Sequence, residues 1–201
     1  MFQLAVLASG RGSNLKSIID KLHLSEKNIK IACVISNKKR AKALKIAKKY
    51  EIPFYLIDEN RYNEKEYEEK LIKTINLYNV NLIVLAGYMK ILSPKFVNSF
   101  KDSIINIHPS LLPSFPGLNA QKQAIDYGVK ISGCTVHFIN KKVDTGPIIK
   151  QKAVKVERHD DEASLSKKIL KCEHQLLPDT IELIAQNKIQ INKYRTVTIK
   201  E

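Results

Sequence analysis

The sequence predicts a single-domain, Rossmann-like α/β fold: a mostly parallel sheet with helices on both faces and an antiparallel C-terminal addition. Three observations carry this prediction. Short apolar, β-rich runs alternate with amphipathic runs of about 10 to 15 residues, the pattern of right-handed βαβ units. The first apolar run opens directly into a glycine turn, Ser9-Gly10-Arg11-Gly12-Ser13, and then a helical pattern. Late in the chain, two β-rich stretches are separated only by a turn ending Asp144-Thr145-Gly146-Pro147. With 201 residues and 44% hydrophobic content, the chain can bury a full-sized core, and one domain over residues 1–201 fits better than two.

Taken in order, residues 2–7 read as a buried strand, residues 8–12 as a small-residue turn, and residues 14–21 as a helix with Leu15, Ile18, Ile19 and Leu22 on one face. Residues 29–35 are a second strand. Residues 38–50 form a lysine-alanine helix stopped before Pro53, and residues 54–57 a third strand. A charged amphipathic helix over 64–78 precedes a strand at 82–86, a short helix at 94–100 and a strand at 103–107. Residues 109–117 contain three prolines and a glycine, which forbid a regular element and predict an ordered loop at a strand's carboxyl end. Strands at 132–139 and 148–156 flank the turn 140–147. Residues 161–187 are mostly helical, with an interruption expected at Pro178, and 189–197 reads as a last strand. No internal repeat, low-complexity tract or interdomain linker is visible.

The charge balance is strongly basic, +14, which raises the possibility of a nucleic-acid partner. Five of the 34 basic residues are arginine, leaving 29 lysines, and arginine is the usual residue for bidentate phosphate and base contacts. The lysines are also spread along helical faces, so a solvated surface is expected and nucleic acid is not the expected partner. Cys33, Cys134 and Cys172 are odd in number and far apart, without ligand spacing, so neither a disulfide framework nor a metal site is expected. No apolar run approaches the ~20 residues of a membrane helix and no secretory leader is evident; a cytoplasmic, soluble protein is expected.

Three segments carry chemistry. The turn at Gly12-Ser13-Asn14, between a strand and a helix, presents backbone N–H groups suited to phosphate. It lacks the GxxxxGK[ST] of a Walker loop, and Leu15 stands where a dinucleotide fingerprint needs glycine. A plain glycine turn with a Ser/Asn cap remains the alternative. Second, Asn106 and His108 lie two apart on a strand and so share one face, at the strand end where open α/β sheets bind ligands. An amide and an imidazole can both donate to the oxyanion of an acyl-transfer intermediate, and histidine can also move a proton. Satisfaction by local backbone is the competing explanation. Third, Asp144 sits in ordinary turn chemistry, but a carboxylate near His108 would raise the histidine's pKa and order a proton-carrying water. No serine or cysteine stands beside a base, so direct attack by a substrate amine fits better than an acyl-enzyme.

Together, LASGRGSNL, LAGYMKILSP, NIHPSLLPSFPG, GCTVHFIN and VDTGPII, in this order, closely resemble the folate-dependent glycinamide ribonucleotide formyltransferase family over nearly the whole chain. The resemblance implies that Gly12, Ser13 and Asn14 hold a substrate phosphate, that Asn106 and His108 act on the formyl oxygen, and that Asp144 tunes His108. It further implies that Met89, Lys90, Ile91 and Leu92, with Asn106 and the turn from Asn140 through Val143 to Asp144, line a folate pocket, and that Glu173 meets the substrate ribose. By composition alone Glu173 would be an exposed helix charge. Residues 1–100 would then be the phosphate-binding half and residues 101–201 the folate-binding and catalytic half. The implied co-substrate is 10-formyltetrahydrofolate, without a metal, and the implied assembly a monomer or homodimer. His137 fits the family pattern and is read as structural. Where the family often places a basic residue toward the folate tail, three before an aromatic, this chain has Glu64 before Tyr67, with Arg61 and Lys65 nearby.

A methionyl-tRNA formyltransferase would share the Asn-His-Asp set and explain the basic surface, but such proteins typically add a C-terminal RNA-contacting domain for which 201 residues leave no space. A formyltetrahydrofolate hydrolase would carry an N-terminal regulatory domain. A noncatalytic RNA-binding α/β module leaves Asn106, His108 and Asp144 unexplained.

Overall fold

The computed structural model describes residues 1–193 and 196–200. The chain divides into two compact units, Met1–Ile105 and Asn106–Glu201. In the first, β1 (Phe2–Leu7) pairs in parallel with β2 (Ile29–Ser36) on one side and β4 (Leu82–Leu85) on the other, and β2 pairs in parallel with β3 (Phe54–Leu56). Leu4 to Leu7 are fully buried, as a central parallel strand covered on both faces requires. The connections are α1 (Ser13–Ile18), which continues as a wider π-type turn over Ile19–His23, α2 (Lys42–Lys49) and α3 (Glu64–Ile75).

The strand order β3-β2-β1-β4 carries the functional consequence. The chain steps outward from β1 to β2 to β3, then crosses back to β4 beyond β1. With right-handed crossovers, α1 and α2 fall on one face and α3 on the other. The reversal opens a crevice at the carboxyl ends of β1 and β4, where doubly wound sheets take ligands. α4 (Pro94–Ser99) follows, started by Ser93, whose side chain accepts from the Phe96 N–H.

In the second unit, β6 (Ile131–Phe138) and β7 (Ile148–Lys155) form an antiparallel pair, and α6 (Glu162–Ala185) packs on both. A capping box between Asp161 and Ser164 starts α6. Strands β1 to β7, including β5 (Ile104–His108), make one seven-stranded sheet in the order β3-β2-β1-β4-β5-β6-β7. The α/β class, the mostly parallel sheet and the antiparallel addition are as the sequence predicts.

Several elements differ. α2 starts at Lys42 instead of residue 38, because the Ser36 hydroxyl accepts the Lys38 N–H and Ala41 donates to the Lys38 carbonyl, closing a turn. A helix no pattern announced, α5 (Ala120–Tyr127), buries only Ala120 and Ala124, so it shows no stripe of large apolar residues. The expected interruption at Pro178 does not occur. α6 runs through it, because Leu165, Ile169, Leu176, Leu177 and Ile181 bury a continuous face that holds the helix across one missing N–H. The expected last strand over 189–197 is instead two short strands, β8 (Ile189–Ile191) and β9 (Val197–Ile199), paired antiparallel; residues 194 and 195 lie outside the described residues. Among the described residues, no helix is long and apolar enough to cross a membrane.

Candidate active site

In the first unit, the loop after β1 turns at Gly12, which caps α1 in a left-handed conformation, φ +76°, and accepts the Lys16 N–H at 2.9 Å. A Cβ there would lie 2.9 Å from the Ala43 Cα, so glycine is required both by the turn and by the approach of α2. Asn14 is buried and Ser13 half-buried behind it. The loop after β4 lies alongside: the Ser9 N–H donates to the Gly87 carbonyl at 3.0 Å. Of the expected folate segment, Met89 and Ile91 are exposed, 65% and 73%, while Leu92 turns into the core. The Lys90 ammonium lies 5.0 Å above the Tyr67 ring. Tyr88 meets the Tyr67 hydroxyl, and the buried Glu68 carboxylate accepts the Ser93 N–H at 2.6 Å and its hydroxyl, anchoring this loop to α3 at both ends. Glu64 is exposed at the start of α3, Lys65 is exposed beside it, and Arg61 lies 3.8 Å from Asp58.

In the second unit, three predicted residues come together, joined by a fourth. His108 Nδ1 lies 3.3 Å from Asp144 Oδ2, with both side chains nearly inaccessible. The Asn106 amide nitrogen lies 3.3 Å from His137 Nε2, and His137 Nε2 is 3.6 Å from Asp144 Oδ1. The other ring nitrogens face carbonyls: His108 Nε2 donates to Phe115 O at 2.8 Å and His137 Nδ1 to Phe138 O at 2.9 Å. His137 Nε2 thus faces both the Asn106 amide and the Asp144 carboxylate: it accepts from the amide when Nδ1 alone carries a proton and donates to the carboxylate when Nε2 carries one, and in the first case the amide's second N–H stays available to donate. By sequence His137 reads as a structural strand histidine; its alternation with Thr135 on β6 is the signal that places it on the same face.

Asp144 takes a left-handed backbone, φ +49°, and receives the Gly117 N–H at 2.8 Å. Burial pushes its carboxyl up, but His137, the Gly117 N–H and His108 together outweigh burial and hold it below the usual carboxylate range. For His108 the outcome corrects the expectation of a raised pKa. Burial depresses it most; the Phe115 carbonyl and Asp144 pull upward, His137 adds to the depression, and the net direction is down. The desolvation of an imidazolium here exceeds what one neighbouring carboxylate restores.

The loop 109–117 is held rigidly. Leu112 N–H donates to Thr135 Oγ1 at 3.1 Å, Thr135 Oγ1 donates to Ser110 O at 2.7 Å, and Gln151 donates to Leu112 O at 2.8 Å. In the turn after β6, the Asn140 side-chain oxygen accepts from Lys142 N–H and Thr145 Oγ1, both at 3.0 Å, and Val143 is half exposed. Glu173, which composition would leave exposed, is buried on α6 at 7% accessibility. Among the described residues, no group of three or more His, Cys, Asp or Glu side chains is arranged to hold a metal ion.

The description "Formyl transferase" belongs to the family whose model matches residues 2–181. The phosphoribosylglycinamide formyltransferase of Bacillus subtilis is 39% identical over 183 residues, covering 90% of this chain and 94% of that protein. The human trifunctional purine biosynthetic protein adenosine-3 is 40% identical over 192 residues; the chain spans 95% of itself there and only 19% of that protein's length. The crystal structure of phosphoribosylglycinamide formyltransferase from Anaplasma phagocytophilum superposes with a TM-score of 0.95 at 44% identity, covering all of this chain and 94% of that one. With the family match spanning nearly the whole chain, and near-full-length relatives well above 30% identity, this chain belongs to the formyl transferase family.

Proposed function

We propose that the chain transfers the formyl group of 10-formyltetrahydrofolate to the amine of glycinamide ribonucleotide, in the cytoplasm, as a step of purine synthesis. The observation that carries this reading is the buried pair His108 and Asp144, 3.3 Å apart, beside an Asn106 amide nitrogen 3.3 Å from His137 Nε2. Because His108 Nε2–H is committed to Phe115 O, the Nδ1 site facing Asp144 holds either a shared proton or a lone pair. That position suits a group that accepts a proton from an attacking amine and returns it to the departing folate nitrogen. The free N–H of Asn106 donates to the formyl oxygen as it gains charge. Gly12, Ser13 and Asn14 hold the ribonucleotide phosphate and Glu173 its ribose. The folate lies against Met89 to Leu92 and the Asn140 to Asp144 turn, where the exposed Met89, Ile91 and Val143 side chains offer apolar surface to a ring system.

The test mixes purified protein with a 10-formyl folate analogue and glycinamide ribonucleotide and follows release of the deformylated folate by absorbance. Release that requires the ribonucleotide is the expected result. Release without it indicates hydrolysis, and formylation of methionyl-tRNA in its place indicates the tRNA enzyme; either overturns the proposal.

A further inference from the structure

The two ligand loops of the first unit are joined through one residue, by its side chain and its backbone. Ser9 Oγ accepts the Met89 N–H at 2.8 Å and donates to Asn37 Oδ1 at 2.6 Å, while the Ser9 N–H donates to Gly87 O. Asn37 closes β2, is fully buried, and passes its NH₂ to Glu59 Oε2 at 2.8 Å; Glu59 in turn pairs with Lys38. The direction of every hydrogen in this chain is set by its charged end. The Glu59 carboxylate accepts only, so it fixes the Asn37 amide with Nδ2 outward and Oδ1 toward Ser9. That carbonyl claims the Ser9 hydroxyl hydrogen, which leaves an oxygen lone pair for the Met89 N–H. An ionised acceptor also makes the bonds behind it stronger than neutral ones, and buried chains of this kind polarise one another.

We infer that Ser9 is a positioning residue that couples the phosphate loop to the Gly87–Leu92 loop, with Asn37 and Glu59 as its supports, so that binding of one substrate orders the site of the other. The inference rests on the function proposed above, since it takes the two loops to be the ribonucleotide and folate contacts. Its physical content is modest and specific. Three residues after Ser9 comes Gly12, and Met89 opens the exposed apolar segment; the Ser9 hydroxyl bonds across to the Met89 N–H and is held in place by Asn37. A ligand that immobilises either loop thereby lowers the ordering cost of the other, which is positive cooperativity without a large shape change.

The experiment measures binding of a deformylated folate analogue by calorimetry with and without saturating glycinamide ribonucleotide, a ternary complex in which no transfer can occur. In the unmodified protein the folate analogue is expected to bind about fivefold tighter when the ribonucleotide is present, about 1 kcal/mol of coupling. Ser9→Ala removes the hydroxyl bonds and keeps the backbone bond to Gly87 O, so that ratio should fall toward one while each ligand still binds, and Ser9→Thr, which keeps the hydroxyl, should restore it. Glu59→Gln leaves Ser9 in place but removes the ionised acceptor, so an intermediate ratio is expected; it also serves if Ser9→Ala does not fold. A ratio near one in the unmodified protein, or a ratio unchanged in Ser9→Ala and Glu59→Gln, overturns the inference. A fall in melting temperature with the ratio intact overturns it equally, because the serine would then be structural only. Failure of the functional reading looks different: the unmodified protein would bind neither ligand and show no transfer.

Discussion

Gly146→Ala should disable the site while leaving every proposed catalytic side chain in the sequence. A Cβ at Gly146 would lie 1.6 Å from Phe138 O and 2.6 Å from Phe138 C, both backbone atoms that cannot swing aside. Ordinary contact begins at 3.4 Å, so the turn after β6 and the end of that strand must part by roughly 2 Å, an overpacking that typically costs about 1–3 kcal/mol. Two contacts cross the displaced ground: Gly117 N–H to Asp144 at 2.8 Å and His108 to Asp144 at 3.3 Å. Neither survives a movement of more than about 1 Å as a good hydrogen bond, and a 1 Å misplacement of a catalytic group costs about 100-fold. Turnover is therefore expected to fall by at least about 100-fold, with a melting temperature lower by roughly 2–12 °C for a chain of this size. The transfer assay and a thermal melt on the same preparation read both quantities. Activity within about threefold of the parent, with an unshifted melt, would refute both the contact geometry and the role given to the Asp144 turn.

Other expectations follow from the same geometry. His108→Ala and Asp144→Asn should each lower turnover by about 10²–10⁴-fold while leaving folate binding largely intact, checked by the transfer assay against calorimetric affinity. Asp144 pulls the His108 pKa upward against burial, so Asp144→Asn should move the acidic limb of the residual pH profile to lower pH. An unmoved limb would mean that His108 is not the titrating group. Asp160, bonded first by Lys168 and then by the Glu157 N–H, is held down to about 2. A depressed carboxyl stabilises the folded state above its unfolded pKa of about 4 and loses that contribution as pH falls through the folded value. Asp160→Asn should therefore lower the melting temperature at neutral pH, with the difference closing between about pH 4 and pH 2. Burial pushes the Cys33 and Cys134 thiols up to about 12. Alkylation of the native protein at mild pH should reach Cys172 first, and denaturation should release the other two.

Much of the fold was legible because its inner strands β1, β2, β4, β5 and β6 are largely buried apolar runs and its loops carry proline and glycine where no regular element can form. What the pattern hid has physical causes. α5 buries alanines and so lacks the large apolar stripe that marks a helix. α6 crosses Pro178 because tertiary packing outweighs a local rule. At the site, Asn106, His108 and Asp144 were legible as polar residues placed against their context, at a strand end and in a tight turn. His137 was not: a histidine inside a β-rich run reads as core until its two nitrogens are seen to divide between a carbonyl and an amide. The direction of the His108 shift was also beyond sequence, since it depends on how completely burial strips water from the ring. Glu173 became legible only through its motif neighbours, because burial of a helix carboxylate is a tertiary fact.

The outer strands of the sheet give part of the lysine surplus a meaning that composition alone does not. An uncovered border strand offers a row of free N–H and C=O groups to any passing β-segment, including the same strand of another copy. At one border, β3 is only three residues long, too short a template. At the other, β7 spans eight residues and carries Lys150, Lys152 and Lys155. A second molecule adding its own β7 there would bring Lys150 and Lys152, with a Lys155 that Glu157 partly offsets, against their copies, on chains that each carry +14. Like charges brought together along that border oppose such pairing, and more strongly at low ionic strength.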